Sequence, residues 1–570
     1  MSYFLPADGA VLAASRGLVL THPHIGLVDE PLYLWSRTRN VGRQVGLVSG
    51  GGSGHEPLHI GLLGPGGLDA VAPGHIFASP HHRQIIAASR TAAGRGGVLH
   101  IVKNYTGDRI NFGIAAERLN QEGIRCARVL VDDDLATSSS GTGARGTAGV
   151  VVVEQLLGAA ADRGADLDSL TDLGARISSR TRSLSVAARA QTSPVTRRPV
   201  YDTDRLEFGV GIHGERAATT VDADMPLQLL VRRMLTGLLD AVPSDPVDGM
   251  LLVVNGLGGT SSLELHIITT IAHGYLAERG VRVAALTTGT YTAALDMAGF
   301  SLTLTSLEAG WLDLWQNATQ TPLRMASSTT ASTIDVLPVT STLTPVTPAP
   351  PTRGPRVVLD LLSVTCDRVH ADLTLLDERS GDGDFGDSFT GGVRRALALS
   401  TQDGSAGMHA LATTFLDTVG GTSGPLFGLL FEHLAPVTDA ADLDTENLAH
   451  ATAAALDTIR RVGGARPKDR TLVDALTPAS TALRASAGRA DALTEAAAAA
   501  FDGARATADM LGRAGRSSYV GEHARGVPDP GAVAVAIIFS VLAQVFEPQH
   551  AARLTPAHHM TSLTDWTASA

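Results

Sequence analysis

The sequence predicts a multidomain chain: an N-terminal α/β region of two α/β subdomains, a linker, and an all-helical C-terminal domain. Three observations predict it. At 570 residues the chain exceeds what one core organises and implies two or three domains. Through the first part, β-rich apolar runs alternate with helix-like segments, the pattern of α/β layers. Past a stretch rich in Pro, Thr and Ser, the chain turns Ala- and Leu-rich with helical periodicity. The boundaries read as residues 1–326 (subdomains about 1–190 and 191–326), a linker over 327–356, and a helical domain over 357–570.

In the first subdomain the strand candidates are 45–49, 97–102 and 127–131, each ending in a loop with Gly, Asp or Asn. Helix-like segments such as Asn111 to Gln121 follow. This alternation predicts parallel pairing, with ligand sites at the strand C-terminal ends. In the second subdomain the clearest strands are 250–255 and 281–286, and the loop after the first, Asn255 to Ser261, is another ligand-facing turn. Thr344-Pro-Val-Thr-Pro-Ala-Pro-Pro-Thr352 reads as an extended, semi-rigid linker. Beyond it, Glu495 to Arg513 has nearly ideal helix composition, and several antiparallel helices are expected. Ala532 to Phe546 is apolar but interrupted by Ser540 and Gln544. It is too short to span a bilayer and reads as a buried core helix.

Composition narrows the function classes. A net charge of -12 and 4% aromatic content argue against nucleic-acid binding. No secretory signal is visible at the start, and the expected compartment is cytoplasmic. Two cysteines, Cys126 and Cys366, are too few for a disulfide framework or a thiolate metal site.

The most informative motif is Gly50-Gly-Gly-Ser-Gly-His-Glu-Pro57. Its glycines expose backbone N–H groups to a small polar ligand or phosphate, His55 follows directly, and Pro57 suits the first turn of a helix. His55 and His59 also satisfy the zinc-protease expression His-Glu-x-x-His. That motif needs both histidines within one helix, which the glycines and Pro57 oppose, so His59 reads as a helix-packing residue. Lys103-Asn-Tyr-Thr-Gly-Asp108 ends a strand and crowds a lysine, hydroxyls and a carboxylate into one turn. Asp108 suits a general base toward a hydroxyl, or else a cap on the following helix. Gly209-Val-Gly-Ile-His213-Gly-Glu215 places a histidine between glycines, either as a nucleophile toward a carbonyl or as a plain loop residue.

In the helical part, Asp377, Asp382 and Asp384 converge if the glycines between them fold the loop back. Oxygen-only ligands suit Mg²⁺ or Ca²⁺, and Mg²⁺ held this way usually also binds phosphates. An EF-hand fails because it would need Gly at Asp387 and Glu at Val393. A solvated acidic turn is the plain alternative. Gly420-Gly-Thr-Ser-Gly424, Gly463-Gly-Ala-Arg-Pro-Lys-Asp-Arg470 and Pro528-Asp-Pro-Gly531 offer further N–H groups and hydroxyls to a nucleotide. No P-loop or protein-kinase signature is present.

Taken together, these motifs resemble the single-chain, ATP-dependent dihydroxyacetone kinases, which include erythrulose kinases, over nearly the full length. The resemblance implies an eight-helix barrel for the C-terminal domain and a homodimer. It implies that His213 holds the ketone as a hemiaminal, that Gly52, Ser53, Gly54 and His55 line the substrate, and that Lys103 and Asp108 contact its hydroxyls. Asp108, assisted by His55, would activate the hydroxyl that attacks ATP. Asp377, Asp382 and Asp384 would hold two Mg²⁺ per site. Phe385, Gly386, Asp387, Ser388, Thr422, Ser423, Gly463, Leu472, Arg516, Asp529, Pro530 and Gly531 would surround the nucleotide. Two positions depart from the family's usual residues: Phe385, often His, and Arg216, often Pro. The second is expected to enlarge or re-charge the pocket near His213. The implied activity is phosphorylation of dihydroxyacetone or a four-carbon ketose. FAD cyclisation and a ketone sensor are the alternatives.

Overall fold

The computed structural model describes residues 4–6, 9–138, 143–201, 203–213, 215–217, 219–317, 319–323, 353–380, 383–403, 407–440, 442–512 and 525–554. The chain separates into two compact units, Met1–Leu337 and Pro338–Ala570.

The first unit begins with α1 (Ala10–Thr21), β1 (Ile25–Asp29), β2 (Leu32–Ser36), β3 (Val45–Ser53) and β4 (Ala70–Ile76). It continues with α2 (His82–Ala92), β5 (Gly97–Lys103), α3 (Thr106–Gln121), β6 (Cys126–Val131), α4 (Gly149–Asp162) and α5 (Leu167–Ser179). These six strands form one sheet in the order β1-β2-β4-β3-β5-β6. Next come β7 (Thr181–Arg189), β8 (Arg205–Phe208), β9 (Thr219–Asp222), α6 (Leu227–Ala241), β10 (Gly249–Gly256), α7 (Ser262–Glu278), β11 (Val283–Gly289), β12 (Ala298–Leu307) and α8 (Trp311–Trp315). They build a second sheet, β11-β10-β12-β7-β8-β9.

The expected strands all form, but the pairing is mixed rather than parallel. In the first sheet β4, β3, β5 and β6 run parallel, while β1 and β2 add an antiparallel edge. In the second sheet only β10 and β11 pair in parallel. The change of sheet comes between α5 and β7, because β7 pairs with β12, and not near residue 190.

Helix α4 explains why the two sheets form one unit. Its sequence is apolar on every side, and every residue from Gly149 to Ala161 is buried. A helix without a polar face must be covered all round. Val150 to Val153, Leu156 and Leu157 share one core with Val45, Leu47 and Leu99 of the first sheet and with Leu251, Val253 and Leu307 of the second. Glu154 is the ionisable side chain carried into that interior. Asp133 anchors the start of α4. Its buried carboxylate accepts the N–H of Thr147 at 2.7 Å, the Thr147 hydroxyl at 2.6 Å and the N–H of Gly149 at 2.8 Å.

The second unit carries eight helices of eleven residues or more among the described residues: α9 (Arg353–Ser380), α10 (Phe385–Asp403), α11 (Gly407–Asp417), α12 (Ser423–Thr438), α13 (Thr445–Gly463), α14 (Val473–Ser486), α15 (Ala492–Ala506) and α16 (Pro530–Phe546). Each packs on the next, and α16 returns to pack on α9, so the helices close a ring around one apolar core. Ala532 to Ala543 of α16 are all buried, as the apolar run requires. The helix expected over 495–513 ends at Ala506, where a 3₁₀ turn, Thr507–Asp509, takes over. Helix α9 starts at Arg353, inside the span read as linker, and residues 327–352 lie outside the described residues.

Replacing Asp133 by Ala leaves three buried donors without their acceptor. We expect a loss of about 3 kcal/mol of stability, read as a lower denaturation midpoint with an unchanged denaturant slope.

Candidate active site

In the first unit the motif residues gather where the C-terminal ends of β3 and β5 meet the loop after β8. The glycine run is not a loop. Gly50 to Ser53 lie within β3 and are buried, and the chain turns only at Gly54, where φ is +101°. Pro57 does not start a helix; it sits in the turn before a 3₁₀ segment, Ile60–Leu62. His55 is fully buried. Its Nδ1 lies 2.8 Å from the carbonyl of Ala293, which fixes the proton on Nδ1 and leaves Nε2 an acceptor without a partner among the described residues. Burial holds its pKa well below the usual imidazole value, and His213 and Lys103 push the same way. Ser53 is buried and spends its hydroxyl on the carbonyl of Gly74 at 2.8 Å.

His213 follows β8 and stands edge-on to His55, with ring centroids 4.7 Å apart. Tyr105 and Phe77 pack edge-on against the same imidazole at 4.4 Å and 5.6 Å. Phe77 holds φ at +56°, a conformation costly for a bulky residue and found where a site requires it. Glu215 grips His213 twice: one oxygen accepts its backbone N–H at 2.9 Å and the other faces Nδ1 at 3.4 Å. Burial alone would raise the Glu215 pKa, but the contacts with His213, a backbone hydrogen bond and Arg145 together bring it to about 2. A carboxylate on Nδ1 leaves Nε2 of His213 as the nucleophilic atom.

Asp108 lies in the first turn of α3. Tyr105 is the N-cap residue and no side chain caps the helix, so Asp108 does not serve as the cap. It is buried, and among the described residues its Oδ1 has no hydrogen-bond partner. Lys103 ends β5, fully buried, with Nζ 2.6 Å from Nε2 of His59. His59 is therefore not a helix-packing residue: its Nδ1 meets Glu154 Oε1 at 2.6 Å. Sequence reasoning missed His59, Glu154 and Glu215 as parts of one site, because nothing in the spacing links α4 to β3. Arg216 does not re-charge the pocket. Its guanidinium pairs with buried Glu207 at 2.6 Å and covers the ring of Tyr201.

The second unit holds a cavity of about 390 Å³. Asp377, Asp384, Phe385, Ser388, Thr422, Ser423, Gly463, Leu472, Asp529, Pro530 and Gly531 line it. Gly386 and Asp387 do not. A Cβ on Gly386 would lie 2.1 Å from Thr374, so that glycine serves the packing of α10 on α9. Asp387 is largely exposed and faces His370 at 3.2 Å. Asp382 and Arg516 lie outside the described residues. Asp377 closes α9 and accepts the N–H of Phe385 at 3.0 Å, which ties the end of α9 to the start of α10. Among the described residues no group of three metal-ligating side chains comes together. Asp377 and Asp384 nonetheless present carboxylates to one cavity, a donor set suited to a hard divalent cation.

Arg470, which the motif reading quoted without a role, is fully buried and lines this cavity. It donates to the carbonyl of Val527 at 2.7 Å. Asp529 caps α16, accepting the N–H of Ala532 at 2.7 Å. Burial raises its pKa to about 6 against the pull of that bond and of Arg470.

Comparison with known proteins fits both halves. The Dak1 domain matches residues 16–323 and the DAK2 domain residues 379–544. The chain belongs to the dihydroxyacetone kinase family. It is 34% identical to the rat (Rattus norvegicus) triokinase/FMN cyclase over 95% of its own length and 98% of that protein. It is equally similar, at 34%, to the L-erythrulose 1-kinase of Mycolicibacterium smegmatis, over 95% and 99%. Among solved structures it resembles the dihydroxyacetone kinase from C. freundii in complex with AMP-PNP and Mg²⁺, with 29% identity, a TM-score of 0.62, and coverage of 95% and 99%.

Because the folded-state pKa of Asp529 is raised, its contribution to stability is present below its ordinary pKa of 3.8 and is lost as pH rises through about 6. Asp529→Asn keeps a side-chain oxygen at the cap and removes the charge. Thermal unfolding should show the variant more stable than the parent at pH 7, by about 2 kcal/mol, and not at pH 4.

Proposed function

We propose that this chain is an ATP-dependent kinase of short-chain ketoses that phosphorylates a terminal hydroxyl of dihydroxyacetone or erythrulose. One observation carries the reading. Two histidines, His55 and His213, stand edge-on beside buried Lys103 and Asp108, and among the described residues His55 Nε2 and Asp108 Oδ1 have no hydrogen-bond partner.

His213 supplies the anchor. Its Nε2 lone pair adds to the ketone carbon, the carbonyl electron pair moves to oxygen, and that oxygen takes up a proton to give the hemiaminal. The Glu215 carboxylate stabilises the imidazolium that develops and takes its Nδ1 proton, which balances the proton gained by the ketone oxygen. Asp108, assisted by His55, removes the proton from the terminal hydroxyl, and the resulting oxygen attacks the γ-phosphorus of ATP with ADP as leaving group. Phosphoryl transfer depends on positioning more than on covalent chemistry, and a tethered ketone supplies positioning. The tether also sets specificity, since glycerol has no carbonyl to bond. Asp377 and Asp384, with Asp382, would hold two Mg²⁺ ions, which when bound neutralise phosphate charge. Thr422, Ser423 and the glycines beside them would face the phosphates. The resemblance further supports a homodimer.

A second reading has its own support: the rat relative is named for FMN cyclase as well as triokinase. FAD cyclisation would use the cavity of the helical unit alone. A ketone sensor is disfavoured, because sensing does not need both the Asp-lined cavity and the histidine pocket.

The test is ADP release with Mg²⁺-ATP across dihydroxyacetone, D- and L-erythrulose, glyceraldehyde and glycerol. Turnover confined to ketoses supports the kinase. Absence of turnover with all five overturns it, and FAD with Mn²⁺ then tests the cyclase. Within the kinase reading, Asp108→Ala should abolish turnover, a loss of at least about a thousandfold, while ketone binding persists; unaltered turnover would remove Asp108 from the role of base. His213→Ala should raise KM for the ketose more than it lowers kcat and should erase the discrimination against glycerol. An unchanged substrate profile would refute the covalent anchor.

A further inference from the structure

Lysine is nearly absent from this chain. Lys103 and Lys468 are its only two lysines among 45 Lys and Arg residues. Arginine and lysine serve alike on solvated faces, so the places where lysine persists are informative. Lys103 occupies a space that a guanidinium cannot enter. A Cβ on Gly51 would already lie 2.2 Å from its Nζ, and the His59 ring closes the other side. The position calls for a compact ammonium rather than a planar fork.

The neighbours of that ammonium form an ordered chain. Nζ lies 2.6 Å from His59 Nε2 and 3.5 Å from the carbonyl of Gly50. On the far side of the ring, Nδ1 faces Glu154 Oε1 at 2.6 Å and Ser49 Oγ at 3.0 Å. The single hydroxyl hydrogen of Ser49 goes to the carbonyl of Ile101 at 2.8 Å, so toward His59 this oxygen is an acceptor. Two acceptors at Nδ1 place the ring proton there. Nε2 then offers its lone pair to the ammonium. An ammonium carries three donors, and the protein supplies two acceptors, leaving one donor for a ligand oxygen.

We propose that Glu154 and His59 form a relay that positions Lys103 in the ketose pocket, with Glu154 as the buried countercharge that holds the ammonium in place. What Lys103 touches rests on the kinase reading; the relay itself does not. Glu154 reaches the pocket only through His59 and is a positioning residue. The carboxylates of Asp108 and Glu56 also face Lys103 and favour its charged form, while burial and the nearby His55 oppose it. The relay is therefore one of three anionic supports and the only one that acts through an imidazole. Among the described residues Glu154 Oε2 has no partner, so there the buried carboxylate is satisfied at its relay end.

With two lysines, selective ¹³C labelling of the lysine ε-carbons gives two signals, and Lys468→Arg assigns the one from Lys103. Glu154→Gln keeps the shape and an acceptor for Nδ1 while removing the charge. We expect the Lys103 titration to move to lower pH by about one unit. KM for the ketose should rise about tenfold, with KM for ATP unchanged, and the alkaline limb of kcat/KM should shift in the same direction as the titration. Glu154→Asp should restore part of both shifts. In a Lys103→Met background, Glu154→Gln should change the ketose KM no further. An unmoved Lys103 titration in folded Glu154→Gln overturns the relay, as does an equal rise in both KM values. Should Glu154→Gln fail to fold, the same titration on His59→Gln decides, with the same expected direction. If no ketose is turned over, the kinase reading falls, and the Lys103 titration still decides the relay.

Discussion

Between β4 and β5, residues 50–52 of β3 carry no side chains, and three different groups occupy the space that side chains would fill. A Cβ on Gly50 would lie 2.3 Å from the carbonyl of Ala72 in the neighbouring strand. One on Gly51 would meet the Lys103 ammonium, and one on Gly52 would lie 2.8 Å from the backbone of Phe77 and Ala78. These close approaches are possible because the central strand is bare at its C-terminal end. Lys103 comes in from β5, Phe77 from the segment after β4, and His55 from the turn that ends β3. A side chain at residue 51 would displace Lys103, one at residue 52 the backbone of Phe77 and Ala78, and one at residue 50 the Ala72 carbonyl of β4. The cost is a strand that contributes little apolar burial where it matters most, and α4 offsets it from below with a continuous apolar surface.

The two units solve their electrostatic problems differently. In the first, ionisable groups are taken wholly out of water and must answer one another, since an unpaired buried charge is expensive. The result is an interlocked set: Glu215 on His213, Glu154 on His59, His59 on Lys103. Each imidazole has one nitrogen committed and the other turned to a defined task. In the second unit Asp377, Asp384 and Asp529 line one cavity together with Arg470. Arg470 is buried close to Asp529, yet the pKa of Asp529 remains raised.

Much of this was legible in the sequence, and the reason is local chemistry. Strand ends marked by glycine, aspartate and histidine announce themselves, so His55, Lys103, Asp108 and His213 were found from short motifs. The apolar run of α16 foretold its burial. What escaped was long-range. The antiparallel edge strands and the switch of β7 into the second sheet depend on tertiary pairing that alternation does not encode. Pro57 suggested a helix start because proline suits that position, but the turn there is set by the buried contacts of His55 and His59. Glu154 was invisible because a single carboxylate in an apolar helix looks like an ordinary solvated residue until the helix is known to be covered on every side.

Phe385 shows how a departure in sequence can leave the essential geometry intact. The bond to Asp377 is made by the backbone N–H of residue 385, which any residue but proline provides. The junction between α9 and α10, and with it the placing of Asp377 and Asp384, does not depend on what the side chain is. The ring instead stacks on Phe389 at 5.6 Å and joins Phe427 in an aromatic cluster that continues into the core. A histidine there would bring a polar edge to the cavity and a group that titrates near neutral pH. Phenylalanine makes that wall apolar and removes the titration. The substitution thus acts on the surface and the pH response of this cavity wall, and leaves the backbone bond to Asp377 in place.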